Sequence, residues 1–311
     1  MDLVGKRRWF FLLSAIIILP GLISLLIPPR LYLGIEFAGG STLSVDFDSP
    51  VSKTLIQKKL SELGHPEAVI QATGDTGFFV RISRLREAEG NSSSEREDIT
   101  QAFEDSLGSV TRMDVSSVSG VVAQDTVRNA FIAVVVASIA ILLYITWAFR
   151  HIPRPFRYGV AAVVALVHDV LIVLGVFSIL GKLINLEVNA MFIVGLLTVI
   201  GYSVNDTIVV FDRIRENITR LPAERLEDSI NTSLLETMGR SINTSITLVF
   251  TVLALMLLGG ESIRNFLLVL LLGVISGTYS SICVASQILV IWETGEARRL
   301  LRRLFPSRSQ T

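Results

Sequence analysis

The chain of 311 residues is 50% hydrophobic and only 18% charged, with a mean hydropathy of +0.58, too apolar for an ordinary soluble domain and typical of a polytopic membrane protein. Its 28 basic and 28 acidic residues cancel, so overall charge points to neither nucleic acid nor an acidic substrate as a partner. A single cysteine, Cys283 in an apolar stretch, excludes a disulfide framework and Cys/His metal spacing and reads as a small core residue.

Residues 1–8 carry Lys6, Arg7 and Arg8 ahead of the first apolar run, Trp9 to Ile27. That run is too long for the apolar region of a signal peptide and no small-x-small site follows it, so it reads as a retained anchor with Pro20 and Gly21 tolerated as a kink. Residues 28–128 are the only stretch between runs long enough for a folded domain. Within it "GIEFAGGS" places Gly39 and Gly40 at a turn or a functional motif, and both readings stay open. "STLSVDF" alternates with Leu43, Val45 and Phe47 on one face, a half-buried strand. "SKTLIQKKLSELG" sets Leu55, Leu60 and Leu63 near helical spacing and stops at Gly64. "EAVIQAT" and "GFFVRIS" read as a hairpin, followed by the polar loop "NSSSERED". Ser94 and Glu97 make a capping box before Ile99, Phe103 and Leu107, and "SVTRMDVSSV" is a closing strand. The βαββαβ order predicts an α+β, ferredoxin-like sandwich of roughly 80 residues. It holds one histidine, His65, and no catalytic motif, so no enzyme and no cofactor are expected.

Five further runs are each long enough to cross a layer about 30 Å thick at about 1.5 Å per residue: Asn129 to Phe149, Tyr158 to Leu180, Val188 to Phe211, Ser241 to Leu258 and Asn265 to Trp292. Residues 212–240 form a loop in which Pro222 suits a first helical turn and Leu226, Ile230, Leu234 and Met238 repeat at a helical interval, an amphipathic helix leading into the fifth run. Residues 293–311 are a tail with Arg298, Arg299, Arg302, Arg303 and Arg308. One side collects these, the basic N-terminus, Arg150, Arg154 and Arg157, and Arg213, Arg215, Arg220 and Arg225; the other side's short loops hold only Lys182 and Arg264. Both termini are therefore expected in the cytoplasm and residues 28–128 outside, and this topological role accounts for the basic tail without a binding patch.

Charges inside the runs ask for a reason, because an ionised carboxylate at mid-bilayer costs at least ~2.5 to 3.5 kcal/mol. Asp206 lies seven residues before Arg213, roughly 10 Å inside the basic boundary, whereas Asp212 can reach the interface and reads as a boundary residue. Tyr202 and Ser203 share the Asp206 helix face, and Gly195 and Gly201 permit close helix contact. Arg240, at the start of the fifth run, can reach inward to meet Asp206, and Asn243, Thr244, Ser245 and Thr247 continue that run with polar groups. With Ser203, Asn205 and Thr207 they predict a polar seam between the fourth and fifth spans. His168 and Asp169, adjacent in the third span, are either hydrogen-bonding glue or a coupled titrating pair. A buried acid facing an arginine among hydroxyls is suited to a proton relay, on which a membrane potential does work of about 2.3 kcal/mol per charge per 100 mV.

"GYSVNDTIVVFDRIREN" followed by "GRSINTSITL", with "GIEFAGGS" after the first span and "HDV" in the third, resembles the SecD/SecF family of bacterial protein-export membrane proteins, related to the RND superfamily. The resemblance covers essentially the whole chain. It implies a multi-pass protein of the bacterial cytoplasmic (inner) membrane, a partner, SecD, with a similar six-span half, association with the SecYEG channel, and use of the proton-motive force to promote late translocation of a preprotein. It further implies Asp206 as the proton-carrying acid and Arg240 as its partner, with sodium left open as the coupling ion. Glu36 stands where the family motif usually has Asp, which keeps the charge. Half of an RND-type small-molecule exporter and a passive scaffold are the alternatives, the former disfavoured by one outer domain of only about 100 residues.

Overall fold

The computed structural model describes residues 1–83, 85, 94–220, 223–260 and 263–296. Pro222, residues 297–311 of the basic tail and Asn91 to Ser93 of the polar loop lie outside the described residues. The chain forms two units, one of Met1–Tyr32, Ile132–Glu187 and Met191–Thr311, the other of Leu33–Phe131 with Val188–Ala190.

The second unit opens with the short helix α2 (Ile35–Ala38; α1 belongs to the other unit) and continues β1 (Gly40–Phe47), α3 (Lys53–Glu62), β2 (Val69–Ala72), β3 (Gly77–Ile82), α4 (Glu95–Leu107) and β4 (Val110–Val118). The four strands pair antiparallel in the order β2-β3-β1-β4, which with the βαββαβ succession is compatible with a ferredoxin-like sandwich. Period-two alternation turns Leu43, Val45 and Phe47 inward, where they meet Phe78, Val80 and Ile82 of β3 and the helix residues Ile56, Leu60, Ile99 and Phe103. The Ser94 side chain accepts from the Glu97 amide and the Glu97 carboxylate returns the bond, so α4 begins at its capping box. α3 is rotated from expectation. Ile56 and Leu60, four apart, are its buried pair, Leu63 packs at the edge and Leu55 is half exposed, because the i, i+4 pair fills the stripe that faces the sheet. Gly39 and Gly40 have φ of +74° and +117°, and a Cβ on Gly40 would stand 2.8 Å from the Ile82 carbonyl, so the turn into β1 requires glycine.

Among the described residues, six helices are long and apolar enough to cross a membrane: α1 (Arg7–Leu26), α5 (Gly120–Ala148), α6 (Phe156–Ile184), α7 (Ala190–Arg220), α8 (Leu226–Leu258) and the rod Arg264–Glu293. The rod is α9 (Arg264–Ser280), a π-turn (Ser281–Ala285) and α10 (Ser286–Glu293). The amphipathic stretch and the fifth span form one continuous α8, with Ile230 and Leu234 fully buried and Leu226 and Met238 packed beside them. Small residues set the helix spacing: a Cβ on Gly21 of α1 would fall 2.6 Å from the Gly175 backbone of α6, and one on Gly273 of α9 would fall 2.1 Å from Val199 of α7. α6, α7 and the rod form the interior of this unit, while α1 and α5 present most of their apolar surface outward.

Candidate functional site

The helical repeat of α7 decides which of its polar residues turn inward. Ser203, Asp206 and Thr207 lie on the buried face with Val199 and Val210, and Asn205 lies on the exposed one. Gly277 of α9 lets the Ser203 side chain approach to 3.0 Å of where a Cβ would be, which brings the hydroxyls of α9 against this face.

Asp206 is 6% exposed, and its Oδ2 atom is enclosed without accepting a hydrogen bond. The hydroxyls of Ser241 on α8 and Thr278 on α9 and the charge of Arg240 are near enough to act on this carboxylate. The Ser241 hydroxyl is likewise buried without a bonded partner. Tyr202 Oη bonds Ser245 Oγ at 3.0 Å, and Ser245 bonds Thr278 Oγ1, so a hydroxyl chain leads to the same place from α7 through α8 to α9. Thr207 Oγ1 bonds Ser281 Oγ of the π-turn at 2.8 Å.

The predicted Asp206 and Arg240 pair is not closed: the two make no ion pair within 4.0 Å. Arg240 is exposed and lines an open cavity of about 500 Å³ with Asp212, Glu216 and Glu236. Arg213 in that cavity is held by Glu236 at 2.6 Å and by Glu216, and Asp212 pairs with Arg215 at 3.5 Å, as befits a charged helix end. Asn243, Thr244 and Thr247 are exposed; the two threonines donate back to the carbonyls of Arg240 and Asn243, so only Ser241 and Ser245 of α8 face the seam.

His168 and Asp169 hold a polar cluster that reaches α1, α7 and α9. Asp169, 1% exposed, accepts from Ser203 at 2.7 Å and Ser280 at 2.7 Å through Oδ2, and from Ser276 at 3.1 Å through Oδ1. His168 Nδ1 stands 3.1 Å from Asp169 Oδ1 and its Nε2 stands 3.0 Å from Ser14 Oγ of α1. The seam thus has a wall that sequence reasoning missed, the Ser276, Thr278, Ser280 and Ser281 hydroxyls of the sixth span. Its signal was the hydroxyl-crowded string "SGTYSSICVASQ" inside an apolar run.

Among family models, residues 98–295 match "Protein export membrane protein SecD/SecF, C-terminal" and residues 29–51 match the "SecD/SecF GG Motif", which contains Gly39 and Gly40. A protein translocase subunit SecF of Thermobaculum terrenum is 42% identical over 100% of both chains, and one of Anaerolinea thermophila is 40% identical over 97% of both. A crystal structure of SecDF from Thermus thermophilus, described as a translocon-associated membrane protein, superposes with a TM-score of 0.81 at 32% identity. That alignment covers 94% of this chain and 39% of the SecDF chain, so this chain spans about two-fifths of the SecDF length.

Proposed function

The chain belongs to the SecD/SecF family of protein export membrane proteins, and on that footing we propose that it is a non-enzymatic SecF-type subunit of the protein translocase whose transmembrane bundle carries protons. SecDF relatives at 32–35% identity, of whose length this chain covers 39%, support SecD as the partner. The pair works beside the SecYEG channel in the cytoplasmic membrane, with both termini in the cytoplasm and the βαββαβ domain on the opposite side, where it acts on the emerging preprotein.

One observation carries the proton reading: Asp206 is buried among apolar helices with an oxygen that accepts no bond, while Ser241, Thr278 and the Arg240 charge stand close by. An ionised carboxylate there needs a cation or water, and Arg240, which lines the open cavity and whose charge acts on Asp206, is the cation able to move inward. A proton on Asp206 removes that need and lets the arginine go. Charge state and the α7–α8 contact are therefore linked, and a proton gradient supplies work at that contact.

Asp206→Asn keeps the shape and removes the titration. In vesicles with the partner present, it is expected to abolish gradient-dependent stimulation of export and proton flux while the complex still assembles. Normal export and flux in that variant would overturn the reading, and parent vesicles that respond to a sodium gradient but not to a pH gradient would replace the proton with sodium.

A further inference from the structure

The relay described above leaves a second buried titratable pair unused. His168 and Asp169 on α6 are joined to α1 by four hydrogen bonds in series. Tyr279 Oη donates to the Phe10 carbonyl at 2.7 Å; Ser14 Oγ meets Tyr279 Oη at 3.2 Å; His168 Nε2 meets Ser14 Oγ at 3.0 Å; and His168 Nδ1 meets Asp169 Oδ1 at 3.1 Å. Each bond needs its own hydrogen. The tyrosine hydroxyl brings one, the serine hydroxyl one and a neutral imidazole one, which makes three. With Tyr279 donating to Phe10, Ser14 must donate to Tyr279, so Nε2 must carry a hydrogen for Ser14. The bond between Nδ1 and Oδ1 then has no hydrogen left unless a further proton is present.

The serines around Asp169 cannot supply it. Ser203 and Ser276 direct their single hydrogens at the carboxylate, and that of Ser280 is shared between Asp169 Oδ2 and the Gly277 carbonyl at 3.2 Å, so none of the three has a hydrogen to spare. The Tyr279 ring lies over the imidazole, with centroids 6.0 Å apart and planes at 28°, a placement that favours positive charge on His168. The other titratable groups near the pair are Tyr279 itself on α9, Cys283 on the π-turn, close enough to act on Tyr279, and Asp206, one turn beyond Ser203 on α7. α1 contributes the Ser14 hydroxyl and the Phe10 carbonyl.

We propose that His168 and Asp169 form a second proton-binding site, separate from Asp206, which holds one proton more than a neutral imidazole beside a carboxylate. Release of that proton leaves three hydrogens for four bonds, so the link between Ser14 and Tyr279 or the one from Tyr279 to Phe10 is lost. The site therefore couples its proton occupancy to the contact between α1 and α9. Its existence goes beyond the relay reading and does not depend on it.

The test is ring-nitrogen NMR of the full chain labelled on histidine, in lipid nanodiscs, over roughly pH 5 to 8, the window in which an ordinary imidazole loses its charge. His65→Gln and His151→Gln assign the other two of the three histidines without touching the bundle. The expected result at about pH 7 is either both His168 ring nitrogens protonated or a neutral Nε2–H ring accompanied by a carboxylic-acid infrared band of Asp169. Either distribution places the extra proton in the pair. Tyr279→Phe removes two of the four bonds along with one hydrogen, so the two bonds left need only the hydrogens of Ser14 and a neutral imidazole, and that variant is expected to show a neutral His168 ring beside an ionised Asp169 at the same pH. A neutral Nδ1–H ring beside an ionised Asp169 throughout the range, or no change on Tyr279→Phe, overturns the proposal. Asp206→Asn is expected to leave the His168 signature in place, so failure of this site and failure of the relay are told apart.

Discussion

Asp169 and Asp206 are both buried in one helical bundle, yet their surroundings differ in kind. Asp169 has three serine hydroxyls and an imidazole aimed at it, whereas Asp206 keeps one oxygen without a donor and has a hydroxyl, Ser241, equally unpaired beside it. Full pairing of a buried carboxylate fixes helices in place, since losing any one contact leaves a polar group stranded. Incomplete pairing leaves room for a charge, a proton or a side chain to come and go. The bundle thus carries one acid whose bonds tie α6, α7 and α9 together and one whose missing bond is available for change.

Substitutions should separate the two. Asp169→Ala strands the donors of Ser203, Ser276 and His168 at once and is expected to destabilise the bundle by roughly 3–5 kcal/mol in thermal or denaturant unfolding in detergent. Asp206→Asn in the same assay is expected to stay within about 1 kcal/mol of the parent, because no hydrogen bond to Oδ2 is lost. If both acids cost the same, the contrast is wrong. Gly273→Ala, which drives a methyl into Val199 at the α7–α9 contact, is expected to cost about 1–3 kcal/mol and to perturb both acids together.

The neighbouring hydroxyls sharpen the same contrast on a finer scale. Ser280→Ala removes a bond to the Asp169 carboxylate and is expected to cost about 1.5–3 kcal/mol, whereas Ser241→Ala beside Asp206 removes none and should fall within about 0.5 kcal/mol of the parent. A solvent-exposed acid outside the bundle supplies the control. Backbone and Ser83 hydrogen bonds hold the Glu67 carboxyl below its ordinary value, so its small contribution to stability is present above the unfolded-state value and fades as pH falls through the folded one. Glu67→Gln should flatten that acid limb slightly and leave the bundle's proton handling unchanged.

Much of this was legible in the chain. Alternation at Leu43, Val45 and Phe47, the Ser94 and Glu97 box and six apolar runs mark the two units, because each reports a local period or a cap that tertiary packing reinforces. Asp206 stands out by charge alone. What could not be read was helix rotation. Asn205, Asn243 and Thr244 share segments with Asp206 and Ser245 but point outward, and the serines of α9 look like small filler residues until the π-turn and the glycine contacts set which side they face. Arg240 is expected from the sequence to meet Asp206; its charge acts on that carboxylate, but its long side chain rests at an exposed position away from an ion pair.

The central claim concerns the open bond at Asp206, and the most direct measurement is proton flux through vesicles containing this chain and its partner, compared between the parent and Asp206→Asn at matched assembly. The account predicts that gradient-dependent flux and export stimulation fall together to background in the variant while unfolding stability is retained. Flux at the parent level in a correctly assembled Asp206→Asn complex would contradict it.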